Sequence, residues 1–166
     1  MTHTTGRATL VCATDLSDAS RVALDVALEI ASLRSGAPLH LLYVVERVER
    51  IESTQAILDR WDERKARIKA QIEEEIAVVH QTTKRQVRAD IRVAIRQGKP
   101  HQEIVRDALE VGADTIVVGT HGRTGLGHAV LGSVAERVAR YAACDVVVAK
   151  PPEVREHMAA LIKGSR

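Results

Sequence analysis

Short apolar runs alternate with stretches of helical spacing along this chain. Five runs predict β-strands: Ala8–Thr14, Leu39–Val45, Val87–Arg96, Ile116–Val118 and Asp145–Ala149. The first run is continuously apolar or small, which is typical of a central strand covered on both faces of a parallel sheet. The third run alternates apolar and polar residues instead. We therefore expect it at an edge of the sheet, with one face in water.

Between these runs, apolar residues recur every three or four positions, which predicts four helices. The first is capped by Ser17 or Asp18 and stops near Gly36. The second is long, from Ser53 to about Thr82, and its charged run Glu73-Glu74-Glu75 is interpreted as a solvated face. The third begins at Pro100, a residue suited to the first helical position, and ends at Gly112; the fourth covers Val134 to Ala142.

A glycine-rich segment, Gly119–Ser133, joins the fourth strand to the fourth helix. Its glycines let the backbone approach a ligand closely, and the helix that follows presents free N–H groups and a partial positive charge. Together these features predict an anion site, most often one for phosphate. A Walker A loop is excluded because the lysine before Ser133 is missing, and a dinucleotide fingerprint fails because its third glycine position falls on Val130.

The spacing that does fit is G-x2-G-x9-G-S, formed by Gly119, Gly122, Gly132 and Ser133. This pattern resembles the nucleotide-binding loop of the universal stress protein family. The segments ATDLSDAS after the first strand and YVVE at the end of the second resemble the same family, so the likeness covers roughly Ala8 to Lys150. One departure is Asp145, where the family usually has proline at the entry to the fifth strand.

The alternation of strands and helices predicts a single-domain, open doubly wound α/β fold. Together with the family resemblance, the doubly wound rule implies a Rossmann-like, five-stranded parallel sheet in the order 3-2-1-4-5, with helices on both faces. Strands one and four are then neighbours at the topological switch point, where ligands bind. We expect residues 1–152 to form this nucleotide-binding domain and residues 153–166 to form a C-terminal tail.

The resemblance implies that ATP binds in this crevice, with Mg²⁺ or Mn²⁺ near its phosphates. By the same resemblance, Asp15 lies near the adenosine with the backbone of Ala13, and the backbone of Val44 reads the adenine edge. The remaining implied positions hold ribose and phosphates or line the loop: Gly119, Thr120, His121, Gly122, Arg123, Thr124, Gly125, Gly132, Ser133 and the N–H of Val134. The phosphate part also follows from the physics of helix termini.

The sequence allows more than one role for several of these side chains. Asp15 either contacts the ligand or helps to cap the first helix, and Ser133 is interpreted as both helix cap and phosphate donor. His121 and Arg123 either contact phosphate or lie on the loop surface. Cys12 is interpreted as a core residue, and Cys144 lacks a basic neighbour that would activate a thiol.

No catalytic set of nucleophile, base and orienting group is readable, so a regulatory ATP-binding module is favoured over a slow ATPase or phosphotransferase. A structural dimer that binds no nucleotide is the third alternative. The resemblance implies a homodimer through the fifth strand, whose Val146, Val147 and Val148 leave both faces apolar. An unidentified protein partner is a further expectation.

Composition adds limits on partners and location. The 166 residues carry a net charge of only +2, with no Phe, one Trp and two Tyr. A near-neutral chain poor in aromatic residues gives no case for nucleic acid or a membrane surface as partner. The absence of an apolar span or signal-peptide core, together with two cysteines lacking metal-ligand spacing, predicts a cytoplasmic protein.

Overall fold

Strands and helices alternate along the chain in the computed structural model, which describes residues 8–46, 54–83, 89–120, 131–152 and 155–156. The side chains of the long second helix are described from residue 60 to residue 82. The elements are β1 Leu10–Thr14, α1 Asp18–Leu33, β2 Leu39–Val45, α2 Thr54–Thr83, β3 Ile91–Gln97, α3 Pro100–Glu110, β4 Thr115–Gly119, α4 Ser133–Tyr141 and β5 Asp145–Ala149.

The five described strands form one parallel sheet in the order β3-β2-β1-β4-β5, which confirms the predicted fold class. Strand β1 pairs with β2 over its whole length, from Leu10↔Leu39 to Thr14↔Tyr43. Its ladder with β4 runs only from Leu10↔Thr115 to Cys12↔Val117, while both strands continue beyond that pair. The carboxyl ends of β1 and β4 therefore separate, and this opens the crevice at the switch point.

The helices cover the sheet as two layers, each with its own core cluster. Helices α1 and α2 pack on one face, where Leu24, Leu28 and Ile72 are buried. Helices α3 and α4 pack on the other, with Ile104 and Val138 buried. Each large apolar side chain removed from water contributes about 1.5–3 kcal/mol. No helix among the described residues is both long and apolar enough to cross a bilayer.

Strand β3 is an edge strand, as its alternating sequence predicts, but it is shorter at its start than expected. It begins at Ile91; Ala89 and Asp90 are described and are not in the strand, and residues 87–88 lie outside the described part. Asp90 instead uses its side chain to accept hydrogen bonds from Arg92. Arg96 is only partly exposed, because its guanidinium reaches across to Asp107 of α3 at 2.7 Å.

The solvated-face interpretation of Glu73-Glu74-Glu75 is wrong for its last residue. Glu73 and Glu74 are exposed, whereas Glu75 is 5% exposed. Glu75 follows Ile72 by three positions and precedes Val79 by four, and both of these residues are buried. Residues at that spacing share one helix face, so Glu75 lies on the face of α2 that packs against the core.

Candidate functional site

The turn between β1 and α1 forms one wall of the crevice and presents Asp15. Asp15 Oδ1 accepts a hydrogen bond from the Ser17 backbone N–H at 3.1 Å, and Leu16 takes a left-handed conformation with φ 65°. Ser17 caps α1 by accepting from the Ser20 N–H, which confirms one of the two predicted caps. Asp15 thus belongs to the turn that precedes the cap, with its carboxylate held at the carboxyl edge of the sheet.

The opposite wall begins where β4 ends. The Thr120 N–H donates to the Ala149 carbonyl of β5 at 3.2 Å, and the Thr120 carbonyl accepts from the Gly132 N–H at 2.7 Å. Thr120 is buried, at 2% exposed. This second hydrogen bond joins the two ends of the glycine-rich segment at the carboxyl edge of the sheet. The chain therefore returns to the crevice at the start of α4.

Helix α4 begins next to this Gly132–Thr120 hydrogen bond. Gly132 is its N-cap, and no side chain of the described residues bonds to the cap, so Ser133 is the first helical residue rather than the cap that its type predicted. The side chain of Ser133 is exposed. The first-turn N–H groups, including that of Val134, have no acceptor within the helix. Unsatisfied donors at the positive end of a helix suit an anion.

Gly119 owes its identity to a close contact within the fold. A Cβ at this position would lie 2.7 Å from the Ala19 carbonyl oxygen, a backbone atom in the first turn of α1. Because backbone cannot move aside as a flexible side chain can, glycine is required for β4 to end this close to α1. The contribution of Gly119 to ligand binding stays a prediction.

The other predicted positions divide into two groups. Ala13 and Val44 are partly buried, and their side chains pack against the cluster beneath α3 and α4. Their side chains thus serve the core, which agrees with contacts to a ligand through their backbone atoms. The remaining predicted positions lie outside the described residues: His121, Gly122, Arg123, Thr124 and Gly125.

A cavity of about 510 Å³ lies beside Asp15, on the side of the sheet covered by α2. Its lining includes the exposed side chains of Arg64, Arg67 and Gln71. The two arginines enter none of the ion pairs described along α2, which join Lys65 to Asp62 and Lys69 to Glu73. The cavity thus offers two guanidinium groups to an anionic ligand.

The sequence interpretation missed this cavity because it assigned every charged residue of the long helix to solvent. A topological signal was available. Helix α2 follows β2, so its first turns must start from the carboxyl edge of the parallel sheet, where the crevice lies. Arg64 and Arg67 occupy that half of the helix. Residues in that half could therefore have been predicted to lie near the carboxyl edge of the sheet, in contrast to those near Thr82.

Burial dominates the electrostatics of the groups near the crevice. Desolvation raises the pKa of Glu75, and the nearby Asp15 carboxylate adds to this, while Thr14 and Arg21 act in the opposite direction. Burial also raises the pKa of both cysteine thiols, with Glu75 adding to the effect at Cys12 and with Asp114 and Asp145 adding to it at Cys144. Both thiols therefore stay protonated at neutral pH, which disfavours a nucleophilic role.

The geometry of the sheet, the glycine segment and helix α4 agrees with the family that the sequence motif suggested. The family model described as "Universal stress protein family" matches residues 7–150. The chain belongs to the universal stress protein family. The nearly complete span of the match covers every described strand and all the predicted site positions.

Individual universal stress proteins are similar to the chain over different lengths. The universal stress protein YxiE of Bacillus subtilis is 31% identical over 147 residues, which cover 85% of this chain and 97% of that protein. The universal stress protein MJ0531 of Methanocaldococcus jannaschii is 49% identical, but over only 63 residues, 38% of this chain and 37% of that protein. The chain therefore spans only about a third of this second relative.

A solved structure described as a universal stress protein in complex with cAMP has the same fold. It is 25% identical to this chain, with a TM-score of 0.59, and the match covers 86% of this chain and 95% of that one. That protein binds a cyclic adenine nucleotide.

Proposed function

We propose that this chain is a regulatory nucleotide-binding module of the universal stress protein family that holds ATP between the carboxyl ends of β1 and β4. The base and ribose lie near Asp15 and the backbone of Ala13 and Val44. The phosphates lie at the N-terminus of α4, near Gly132 and Ser133. Bound nucleotide biases contacts between two copies of the chain, or with a protein partner, during a cytoplasmic stress response.

The observation that carries this proposal is the Gly132–Thr120 hydrogen bond of 2.7 Å. It brings a glycine-rich segment back to a helix start that has no described side-chain cap, beside the diverging end of β1. The free N–H donors and the helix dipole at that start suit phosphate. The sheet order supports a shared site, because Asp15 follows β1 at the same carboxyl edge of the sheet. The cAMP complex of a family relative supports an adenine nucleotide as the ligand.

A divalent cation, Mg²⁺ or Mn²⁺, fits this proposal as an ion carried by the nucleotide. The described residues contain no group of three or more His, Cys, Asp or Glu side chains placed to hold a metal. Mg²⁺ commonly takes most of its oxygen ligands from phosphates and water, with one or two carboxylates. The Ser133 hydroxyl lies in the first turn of α4, where the phosphates are proposed to bind, and would assist as an oxygen ligand. The ion would neutralise phosphate charge.

Titration calorimetry of the full chain with ATP, GTP and AMP, each with Mg²⁺, tests the proposal. We expect saturable binding of ATP, weaker binding of AMP because it lacks two phosphates, and weaker binding of GTP because its base edge differs. The protein must first be shown free of retained nucleotide. Absence of ATP binding by such protein would contradict the proposal and leave the non-binding structural dimer as the better interpretation.

A turnover assay on the same samples separates a binding module from a slow ATPase. Hydrolysis requires a positioned water molecule and stabilisation of transition-state charge. Release of phosphate at a rate that depends on Asp15 would favour the enzymatic alternative. Binding without such turnover supports the regulatory module.

A further inference from the structure

The polar network beneath the β1–α1 turn contains a buried carboxyl group, that of Glu75, which has no role in the proposed nucleotide contacts. Glu75 of α2 is 5% exposed, and Thr14 Oγ1 lies 3.1 Å from its Oε2, donating to it when the carboxylate is ionised. The other oxygen, Oε1, has no hydrogen-bond partner among the described residues. Of the described basic side chains, Arg21 forms an ion pair with Oε1 at 3.9 Å, a distance that is too long for a hydrogen bond.

Thr14 connects this carboxyl group to the turn that carries Asp15. Its hydroxyl oxygen accepts from the Leu16 N–H at 3.0 Å and lies 3.1 Å from the Ser20 hydroxyl. The Ser20 hydroxyl donates to the Ser17 carbonyl at 2.9 Å, and the Ser17 N–H in turn binds Asp15. Through Thr14, the Glu75 side chain of α2 is thus connected to the Leu16 N–H and to the Ser20–Ser17 hydrogen bond of the turn.

The number of hydrogens in this network depends on the state of Glu75. The contacts Glu75–Thr14, Thr14–Ser20, Ser20–Ser17 and Leu16–Thr14 need one hydrogen each. The Leu16 N–H and the two hydroxyls supply three, so an ionised Glu75 leaves one contact without a hydrogen. A protonated Glu75 donates to Thr14, Thr14 then donates to Ser20, and every contact is satisfied. Burial favours the same neutral form, because a buried charge compensated only by a long ion pair to Arg21 and one hydrogen bond from Thr14 is costly.

We infer that Glu75 is a positioning residue of the crevice, which holds a proton and, through Thr14, fixes the turn that presents Asp15. In the part of the chain that the structure describes, the charged and titratable groups that face it are Cys12 on β1, Asp15 on the turn and Arg21 on α1. The negative charge that ATP brings into the crevice further disfavours a negative charge at Glu75. This last step rests on the proposed function: nucleotide binding is then accompanied by proton uptake, and affinity falls as the pH rises through the Glu75 titration.

Amide NMR of the ligand-free full chain tests the positioning role without any nucleotide. The Leu16 N–H of the wild type should shift with a midpoint above the usual glutamate range, since the pKa of Glu75 is raised. Glu75→Gln should abolish that transition, and Glu74→Gln, at the exposed neighbouring position, should preserve it. Thr14→Ser should retain the transition and Thr14→Val should remove it, which covers the case in which Glu75→Gln does not fold.

Stability supplies a second ligand-free readout with a defined sign. Because the folded chain keeps the Glu75 proton at pH values where the unfolded chain has released it, the free energy of unfolding falls as the pH rises through this window. Above the folded-state pKa the loss is complete and the dependence levels off. The unfolding temperature of Glu75→Gln, relative to the wild type, should therefore rise across the same window.

Calorimetry with ATP in two buffers of different ionisation enthalpy completes the test. The wild type should take up a fraction of a proton on binding near the Glu75 midpoint, and Glu75→Gln should take up none. A Leu16 amide that titrates identically in the wild type and in Glu75→Gln overturns the inference, even if ATP binds normally. Lack of ATP binding by the wild type overturns the proposed function instead, while the amide titration still decides the role of Glu75.

Discussion

At the scale of single residues, the Asp15 carboxylate stabilises a turn of the fold and is also proposed to contact the ligand. Asp15 accepts the Ser17 N–H, a contact that shapes the turn, and it also lines the cavity beside α2. A single buried or partly buried hydrogen bond to a charged group is worth about 1.5–3 kcal/mol. Removing the side chain should therefore affect the two functions to different extents. The turn loses the Ser17 N–H contact but keeps the Leu16–Thr14 and Ser20–Ser17 hydrogen bonds.

We expect Asp15→Ala to weaken ATP binding by about 1–3 kcal/mol, since a charged hydrogen bond to the ligand is lost. Calorimetry measures this, and the unfolding temperature reports any damage to the turn. Asp18→Ala is the matched control, because the Asp18 side chain is 97% exposed and pairs only with Arg21 among the described residues. If Asp15→Ala binds ATP as tightly as the wild type, Asp15 serves only the hydrogen bonds of the β1–α1 turn.

At the scale of elements, the start of α4 is where backbone and ligand are expected to meet. Gly132 has φ −62° and ψ 147°, a conformation open to any residue. Its glycine is therefore not required by the backbone angle, unlike Gly112, which has φ 64°. The proposed function supplies another reason for glycine here, namely space for a phosphate at the helix terminus.

Gly132→Val should abolish ATP binding while leaving the fold intact, because the branched side chain fills the approach to the first-turn N–H groups. Circular dichroism and the unfolding temperature establish the fold, and calorimetry establishes the loss. Gly132→Ala supplies a graded comparison and should weaken binding less. If the valine variant binds ATP as tightly as the wild type, the phosphates do not lie at α4.

Prediction from sequence succeeded for the elements and failed where a residue's neighbours decide its role. Strand order and helix positions follow from periodicity, the doubly wound rule and the family resemblance. Glu75 was assigned to solvent because a run of three acidic residues is usually exposed, and only the packing of α2 on β1 shows that its third member faces Thr14. The contact that requires Gly119 involves Ala19, a hundred positions earlier, so no local pattern contains it.

The sequence likewise predicted only part of the candidate site. The β1 and β4 walls could be read from the glycine spacing and its likeness to a family. The cavity beside α2, with Arg64 and Arg67, could not be predicted from residue types alone, because exposed arginines are common on any long helix. The displacement of the helix cap from Ser133 to Gly132 depends on the Thr120 contact, which propensity does not encode.

At the scale of the whole molecule, the two edges of the sheet differ in a way that bears on assembly. The β3 edge carries Arg92, which is exposed and paired with Asp90 at 3.1 Å. Charged side chains of this kind discourage strand pairing between molecules. The β5 edge presents Val146, Val147 and Val148, all of them partly exposed. This apolar run, which follows the exposed Asp145 at the start of the strand, favours pairing with a second copy of the chain.

We therefore predict a homodimer formed through β5, with a light-scattering mass twice that of one chain. Val147→Arg should shift the mass toward a single chain, because a charge at the centre of the strand opposes pairing across the edge. Val78→Arg, the same substitution at an exposed valine on α2, should leave the dimer unchanged. Retention of the folded spectrum by the Val147→Arg monomer separates loss of the interface from unfolding. A Val147→Arg variant that stays dimeric would move the interface away from β5, and a wild-type mass equal to one chain would exclude the dimer altogether.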